Sequence, residues 1–208
     1  MIIPEGFGGA VFGTAAEGDA RTDAGARLRF TRAGVPERWA YSTQVHGADV
    51  VEADRPGNVG AADAMFTTSP TLAVAVATAD CVPVILGGDG FAAIVHAGWR
   101  GAAAGVVAAA LDRLRDEGHV PVRAAIGPAI GPCCYEVGEE VLSRFPEHGV
   151  TTRWGTRGID LPGIIAEQLA GLETWRSGRC TRTDETLYSF RRNRTAHRQV
   201  AVAWPTTG

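Results

Sequence analysis

Hydrophobic positions along this chain fall mainly into short, dense runs. "TLAVAVAT" at 71–78 and "VPVIL" at 82–86 are almost wholly apolar and rich in β-branched residues, a composition that predicts buried strands. "GGDG" at 87–90 reads as a hairpin-type turn, and "FAAIVHAG" at 91–98 as the returning strand. Upstream, "RWAYSTQVHGADVVEA" predicts a strand around 39–45, a turn at His46–Gly47 and a strand around 49–53. "RPGNVGA" at 55–61 is expected to be a loop, and "DAMFTTSP" at 63–70 a short strand and turn.

Helical signals are fewer. "GAAAGVVAAALDRLRDEG" at 101–118 is alanine-rich and closed by glycine, predicting one long helix. "EEVLSRF" at 139–145 predicts a shorter one. Asp160 can cap a third over "LPGIIAEQLAGL", with Pro162 in its first turn. "RAAIG" at 123–127 is a strand leading into the loop "GPAIGPCCYEVG", and "TLYSF" and "RQVAVAWP" are expected as closing strands. Strands outnumber helices and several are hairpin-connected. The expected architecture is therefore α+β with antiparallel or mixed sheets, in one domain or at most one and a half. No GxGxxG follows a strand, which argues against a dinucleotide-binding fold.

Composition narrows the chemistry. The 208 residues are 45% apolar and 21% charged, ordinary for a globular protein able to bury a core. A formal net charge of −3 gives no electrostatic case for nucleic acid. All 20 basic residues are arginine. That excludes Schiff-base, pyridoxal-phosphate and Walker A lysines, and leaves anion binding to guanidinium groups. With no signal-peptide pattern at the start and no membrane-length apolar run, a cytoplasmic protein without membrane contact is expected, and a monomer. The four cysteines contain no CxxC and read as reduced thiols.

Three residues are poorly explained as filler. Cys81 enters one strand, His96 leaves the next, and an antiparallel pair brings those two ends together. His46 lies at another strand-turn junction. Each alone is ordinary for a core or a turn. Together they are a nucleophile with its base, or a mixed nitrogen and sulfur ligand set with one position left open. Arg100, at the start of the expected long helix, offers a cationic fork where a helix N-terminus favours anions. Arg191 and Arg192 follow an aromatic stretch, and "IGPAIGPCC" offers unobstructed backbone N–H groups.

"QVHG", "ADAMFT", "TADCVPVIL", "VHAGWRG", "IGPAIGPCCYEVG", "RCT" and "YSFRR" occur in the order found in the YfiH/LACC1 family of laccase-domain proteins, and roughly residues 40–204 resemble it. The family has been described as multicopper polyphenol oxidase, peptidoglycan editing factor and purine nucleoside phosphorylase. The resemblance implies a single domain over 1–208, an α/β sandwich of mixed, largely antiparallel sheets flanked by helices, akin to the CNF1-like cysteine hydrolase fold. It implies metal ligation by His46, Cys81 and His96, zinc being expected and copper possible, with Arg100 at the same site and Arg191 a second anion-binding candidate. Asp63 and Asp80 match family aspartates. The implied activity is phosphorolysis of purine nucleosides, with phosphate as co-substrate, together with adenosine deamination. A Cys–His hydrolase acting on peptidoglycan precursors is the alternative, with Cys81, His96, Arg100 and Asp80 as the catalytic candidates throughout. A four-copper oxidase is a poor match to five histidines without an HxH pair. Two segments depart from the family pattern: "GGAVFGTAAEGDAR" at 8–21 and "NRTAHR" at 193–198.

Overall fold

The computed structural model describes residues 1–206. In chain order its elements begin with β1 (Ala10–Phe12), α1 (Ala24–Arg32), β2 (Arg38–Thr43), β3 (Val50–Glu52), β4 (Gly57–Ala61) and β5 (Ala64–Thr67). There follow β6 (Leu72–Thr78), β7 (Val82–Gly88), β8 (Phe91–Ala97), α2 (Trp99–Ala103), α3 (Val106–Asp116), β9 (Arg123–Ile126) and α4 (Glu139–Leu142). The last are β10 (Gly149–Thr151), β11 (Arg157–Ile159), α5 (Leu161–Gln168), β12 (Glu173–Arg176), α6 (Phe190–Asn193) and β13 (Gln199–Ala203).

Two mixed sheets, ordered β1-β13-β6-β2-β4 and β12-β9-β7-β8-β5-β3, pack face to face, and β10-β11 forms a separate ribbon. The period of two in each strand decides what lies between the sheets. Leu72, Val74 and Val76 of β6 meet Met65, Ile85 and Ile94 of the other sheet in a shared core. The alternate residues Ala73 and Ala75 pack outward on Phe30 of α1. Across the six-stranded sheet, Val84, Leu86 and Val95 cover Val107 and Leu114 of α3 and Ile165 of α5. The result is helix, sheet, sheet, helix. Ile94, fully buried between the sheets, is a weak point: Ile94→Ala would cost roughly 2–5 kcal/mol.

The same parity positions the chemistry. Cys81, His96 and Asp63 continue the inward-facing series of Ile85, Ile94 and Met65 to one end of the strands. Pro83 pairs with His96 and Ala64 with Val95, so the three ends are adjacent.

The α+β expectation holds, with corrections in detail. The long helix over 101–118 is two helices, α2 and α3. Gly105 between them is left-handed at φ 81°, a conformation that glycine adopts without strain. "TLYSF" forms no strand: Ser189 caps the short α6, accepting from the Arg192 N–H. "RPGNVGA" contains β4, an edge strand parallel to β2. "EEVLSRF" yields only the single turn α4. Among the described residues, no helix is long and apolar enough to cross a membrane.

Candidate active site

At the open end of the inter-sheet core lies a cavity of about 610 Å³. His46, Asp80, Cys81, His96, Arg100 and Arg191 all line it, so the residues singled out from the sequence converge on one place. His46 is held there by its turn. Its backbone is left-handed at φ 61°, an uncommon state for a residue with a Cβ. Asp63 compensates: its carboxylate accepts the N–H groups of Val45, His46 and Gly47 at 3.1, 3.0 and 2.7 Å. The same carboxylate meets His96 Nδ1 at 2.7 Å, and the His96 N–H donates to Asp63 O at 2.7 Å. With Nδ1 engaged, Nε2 of His96 faces the cavity, the carboxylate–histidine arrangement that orients a metal ligand.

The His46 and His96 rings stand edge to face with centroids 4.8 Å apart, and His46 Nε2 lies 3.9 Å from Cys81 Sγ. The donor atoms of His46, Cys81 and His96 all lie within 4.8 Å of one another. A tetrahedral zinc site spaces such donors at roughly 3.3–3.8 Å, so a small contraction suffices. Two nitrogens and one sulfur suit zinc or copper, and the arrangement can hold a metal ion while leaving a face open to the cavity.

Electrostatics agree. Burial alone would raise the Cys81 thiol. Hydrogen bonds from His46 and His96, with their charge, outweigh it and bring the thiol down to about 6. Burial likewise opposes protonation of His96, but Asp63 and the Cys81 thiolate lift it to about 9. Burial would also raise Asp63, yet His96 and the turn amides hold it below the usual carboxylate range.

The glycines of "HAGWRG" have a steric cause. A Cβ on Gly98 would stand 2.7 Å from His46 Cδ2 and 3.2 Å from Cys81 Sγ, and one on Gly101 would stand 2.9 Å from Gly47 O. Both let the "QVHG" turn rest directly on the strand end and on α2.

Asp80, left-handed at φ 100° and nearly buried, uses both carboxylate oxygens as anchors. Oδ1 accepts from Thr181 Oγ1 at 2.6 Å and Oδ2 from the Arg191 N–H at 2.7 Å. It thereby fixes two wall segments beside Cys81. Arg191 is fixed again through its side chain, which donates to Glu136 O at 2.7 Å and lies over the Tyr135 ring at 4.9 Å. Arg100 differs from expectation. It belongs to the single turn α2, so it caps no long helix; its side chain lies over Trp99 and 3.7 Å from Glu140 at the cavity rim.

Two further cavity arginines had no local signal. Arg21 is clamped by Asp19 at 2.6 Å and donates to Ala196 O at 2.8 Å, while the Arg198 N–H donates to the same Asp19 at 3.0 Å. The two segments that depart from the family pattern are therefore one structural unit at the rim. Ser42, Gln44 and Thr78 also line the cavity, from the inward-facing series of β2 and β6.

Comparison with known proteins gives a consistent picture. A family described as multi-copper polyphenol oxidoreductase laccase matches residues 11–206. A purine nucleoside phosphorylase of Streptomyces coelicolor is 40% identical over 183 residues, covering 81% of this chain and 76% of the relative. The Shigella flexneri purine nucleoside phosphorylase YfiH is 35% identical over 84% of this chain and 77% of the relative. The crystal structure of YlmD from Geobacillus stearothermophilus superposes with a TM-score of 0.82 at 30% identity, covering 96% of this chain and 93% of that one. With the fold, the His–Cys–His cluster and these relatives in agreement, the chain belongs to the laccase-domain family that includes YfiH.

Proposed function

We propose that this chain is a metal-dependent purine nucleoside phosphorylase that also deaminates adenosine. The observation that carries the reading is the meeting of His46, Cys81 and His96 with Arg191, Arg100, Arg21 and Arg198 on one nucleoside-sized cavity. It is supported by relatives named for that activity. Zinc is the metal that the mixed donor set suits best, and when bound it supplies Lewis acidity and acidifies water.

The chain's own residues do the rest. Asp63 fixes the orientation of the His96 ring and holds His46 in its strained turn, so both rings are oriented before anything binds. In phosphorolysis a phosphate oxygen forms a bond to ribose C1′ as the C1′–N9 bond breaks. The electron pair goes to the purine, which takes up a proton. Guanidinium groups stabilise the phosphate against the sugar cation that develops. Arg191 is the best placed for this, because its anchored side chain needs no reorganisation. Arg100, Arg21 and Arg198 complete a cationic rim. In deamination water adds to purine C6 and ammonia leaves; phosphate is not required, so the arginines matter less. Asp80 is a positioning residue through Arg191 and Thr181.

The test is incubation with inosine or adenosine, with and without phosphate, reading ribose 1-phosphate and free base. Phosphate-dependent ribose 1-phosphate is expected. Its absence with a metal-loaded protein overturns the reading. Inosine formed from adenosine without phosphate tests the deaminase separately.

One observation favours a second reading. Cys81, His96 and Asp63 also form a thiolate, imidazolium and carboxylate series fit for nucleophilic hydrolysis. A ligated thiolate is a poor nucleophile, so amide cleavage of a cell-wall precursor by metal-free protein, blocked by alkylating Cys81, would favour the hydrolase. The oxidase in the family's description finds too few histidines here for a four-copper centre.

A further inference from the structure

A second cluster lies behind the wall of the cavity. Cys133 and Cys134 end the "GPCC" turn, and Cys180 comes from "RCT", 47 residues later. Their sulfurs all lie within 4.8 Å of one another, Cys133 at 2.9 Å from Cys134 and 3.8 Å from Cys180. All three are free thiols. We propose that Cys133, Cys134 and Cys180 form a second metal site, taking one closed-shell thiophilic cation, zinc or cuprous copper, that pins these two segments together.

The backbone is arranged to bring the sulfurs together. Ala129 and Cys180 form a parallel bridge, closed by Ala129 N to Arg179 O at 3.3 Å and Thr181 N to Ala129 O at 3.0 Å. The N–H groups of Cys134 and Tyr135 both donate to Gly131 O at 3.0 Å, which folds the turn back onto that bridge. A Cβ on Gly131 would stand 3.3 Å from Cys180 Cβ and 3.7 Å from Cys133 Sγ, so glycine keeps the space between the segments clear. The Gly131 N–H points at Cys180 Sγ at 3.2 Å, the kind of outer-shell donor that stabilises a thiolate.

Donor chemistry selects a soft cation. No carboxylate joins the cluster, so hard cations find no oxygen. Three thiolates around one such ion carry net negative charge, and Arg182 stands ready to offset it, donating to Cys134 O at 3.3 Å. Cys134, fully buried, packs on the hydrophobic core and also meets the sulfur of Cys133. A disulfide explains less. Neighbouring residues are too close along the chain for a relaxed bridge, and a Cys133–Cys180 bond would leave the third sulfur without a role. Cation binding displaces the thiol protons to solvent and moves no electrons. Cys133 is exposed, which provides the entry path.

The test separates this site from the first. Cys81→Ala protein, reduced and stripped by chelator, is titrated with zinc and, under argon with a reductant, with cuprous copper. Metal retained after desalting is then counted. One equivalent of zinc or copper should remain in Cys81→Ala and none in Cys81→Ala/Cys133→Ser/Cys180→Ser. No retained metal in the first variant, or equal retention in both, overturns the proposal. So does a Cys133–Cys180 disulfide in freshly isolated protein whose reduced form still takes no metal. Should the triple variant fail to fold, wild-type protein decides: metal should slow iodoacetamide labelling of Cys133 by about tenfold or more, and unchanged labelling overturns the site.

Discussion

The two cysteine-bearing clusters are built in opposite ways. Cys81 and His96 stand at the ends of core strands and His46 on a turn beside them, both histidines held by a buried carboxylate, and all three open onto the cavity. Cys133, Cys134 and Cys180 sit on loops, with backbone N–H groups and an arginine as neighbours. The first has mixed donors, an imidazole ring held by a carboxylate and an open face on the cavity. The second has one donor type, on two segments joined by a backbone bridge. The difference teaches that thiol content alone says little; what surrounds the sulfur decides whether it reacts or holds.

That contrast can be broken most sharply at Cys81. Cys81→Ala should remove metal from the first cluster and lower nucleoside turnover by at least about a thousandfold; near-normal turnover would deny the sulfur any role in catalysis. Asp63→Asn should follow, weakening metal affinity by roughly 10–100-fold, measured by chelator competition. An unchanged affinity would mean that the carboxylate only holds the turn.

The third effect is one of pH. In metal-free protein the Cys81 thiol titrates at about 6, below its ordinary value of 9.0. A lowered thiol pKa places the thiolate at neutral pH and loses it on acidification. Alkylation of Cys81 should therefore be about tenfold faster at pH 7 than at pH 5, with an inflection near 6. A profile still rising through pH 8 would show that the imidazoles do not activate it. The smallest effect belongs to the second cluster: Cys180→Ser should leave turnover within about twofold and lower Tm by roughly 2–4 °C. Loss of turnover would make that cluster part of the reaction.

Much of this was legible because the decisive elements are regular. The apolar runs of β6, β7 and β8 declare themselves, and a hairpin between "TADC" and "VHAG" brings Cys81 beside His96 whatever the rest of the chain does. Less regular pieces hid. α1 buries only Ala26 and Phe30, too little to write an apolar stripe, and β1, β10 and β11 have three residues each. Asp63 matched a family aspartate, but its grip on three turn amides and on His96 joins residues 16 to 33 positions apart, and no local pattern encodes that. Arg21 and Arg198 reach the cavity only because Asp19 joins segments 179 residues apart. Gly105 lies within an alanine-rich stretch and looks tolerable in a helix; its left-handed backbone emerges only when α2 must turn to cover the "QVHG" loop.

Asp63 also ties the assembly of the site to strand register. Its neighbour Ala64 pairs with Val95, and the strand-pairing rule allows no half measures: a slip of one residue between β5 and β8 would turn the carboxylate to the helical side of the sheet. His46 would then lose its turn and His96 its carboxylate partner in the same event. A chain folded in the wrong register is thus a chain without the His46–Cys81–His96 cluster, and metal uptake during refolding should report native register directly.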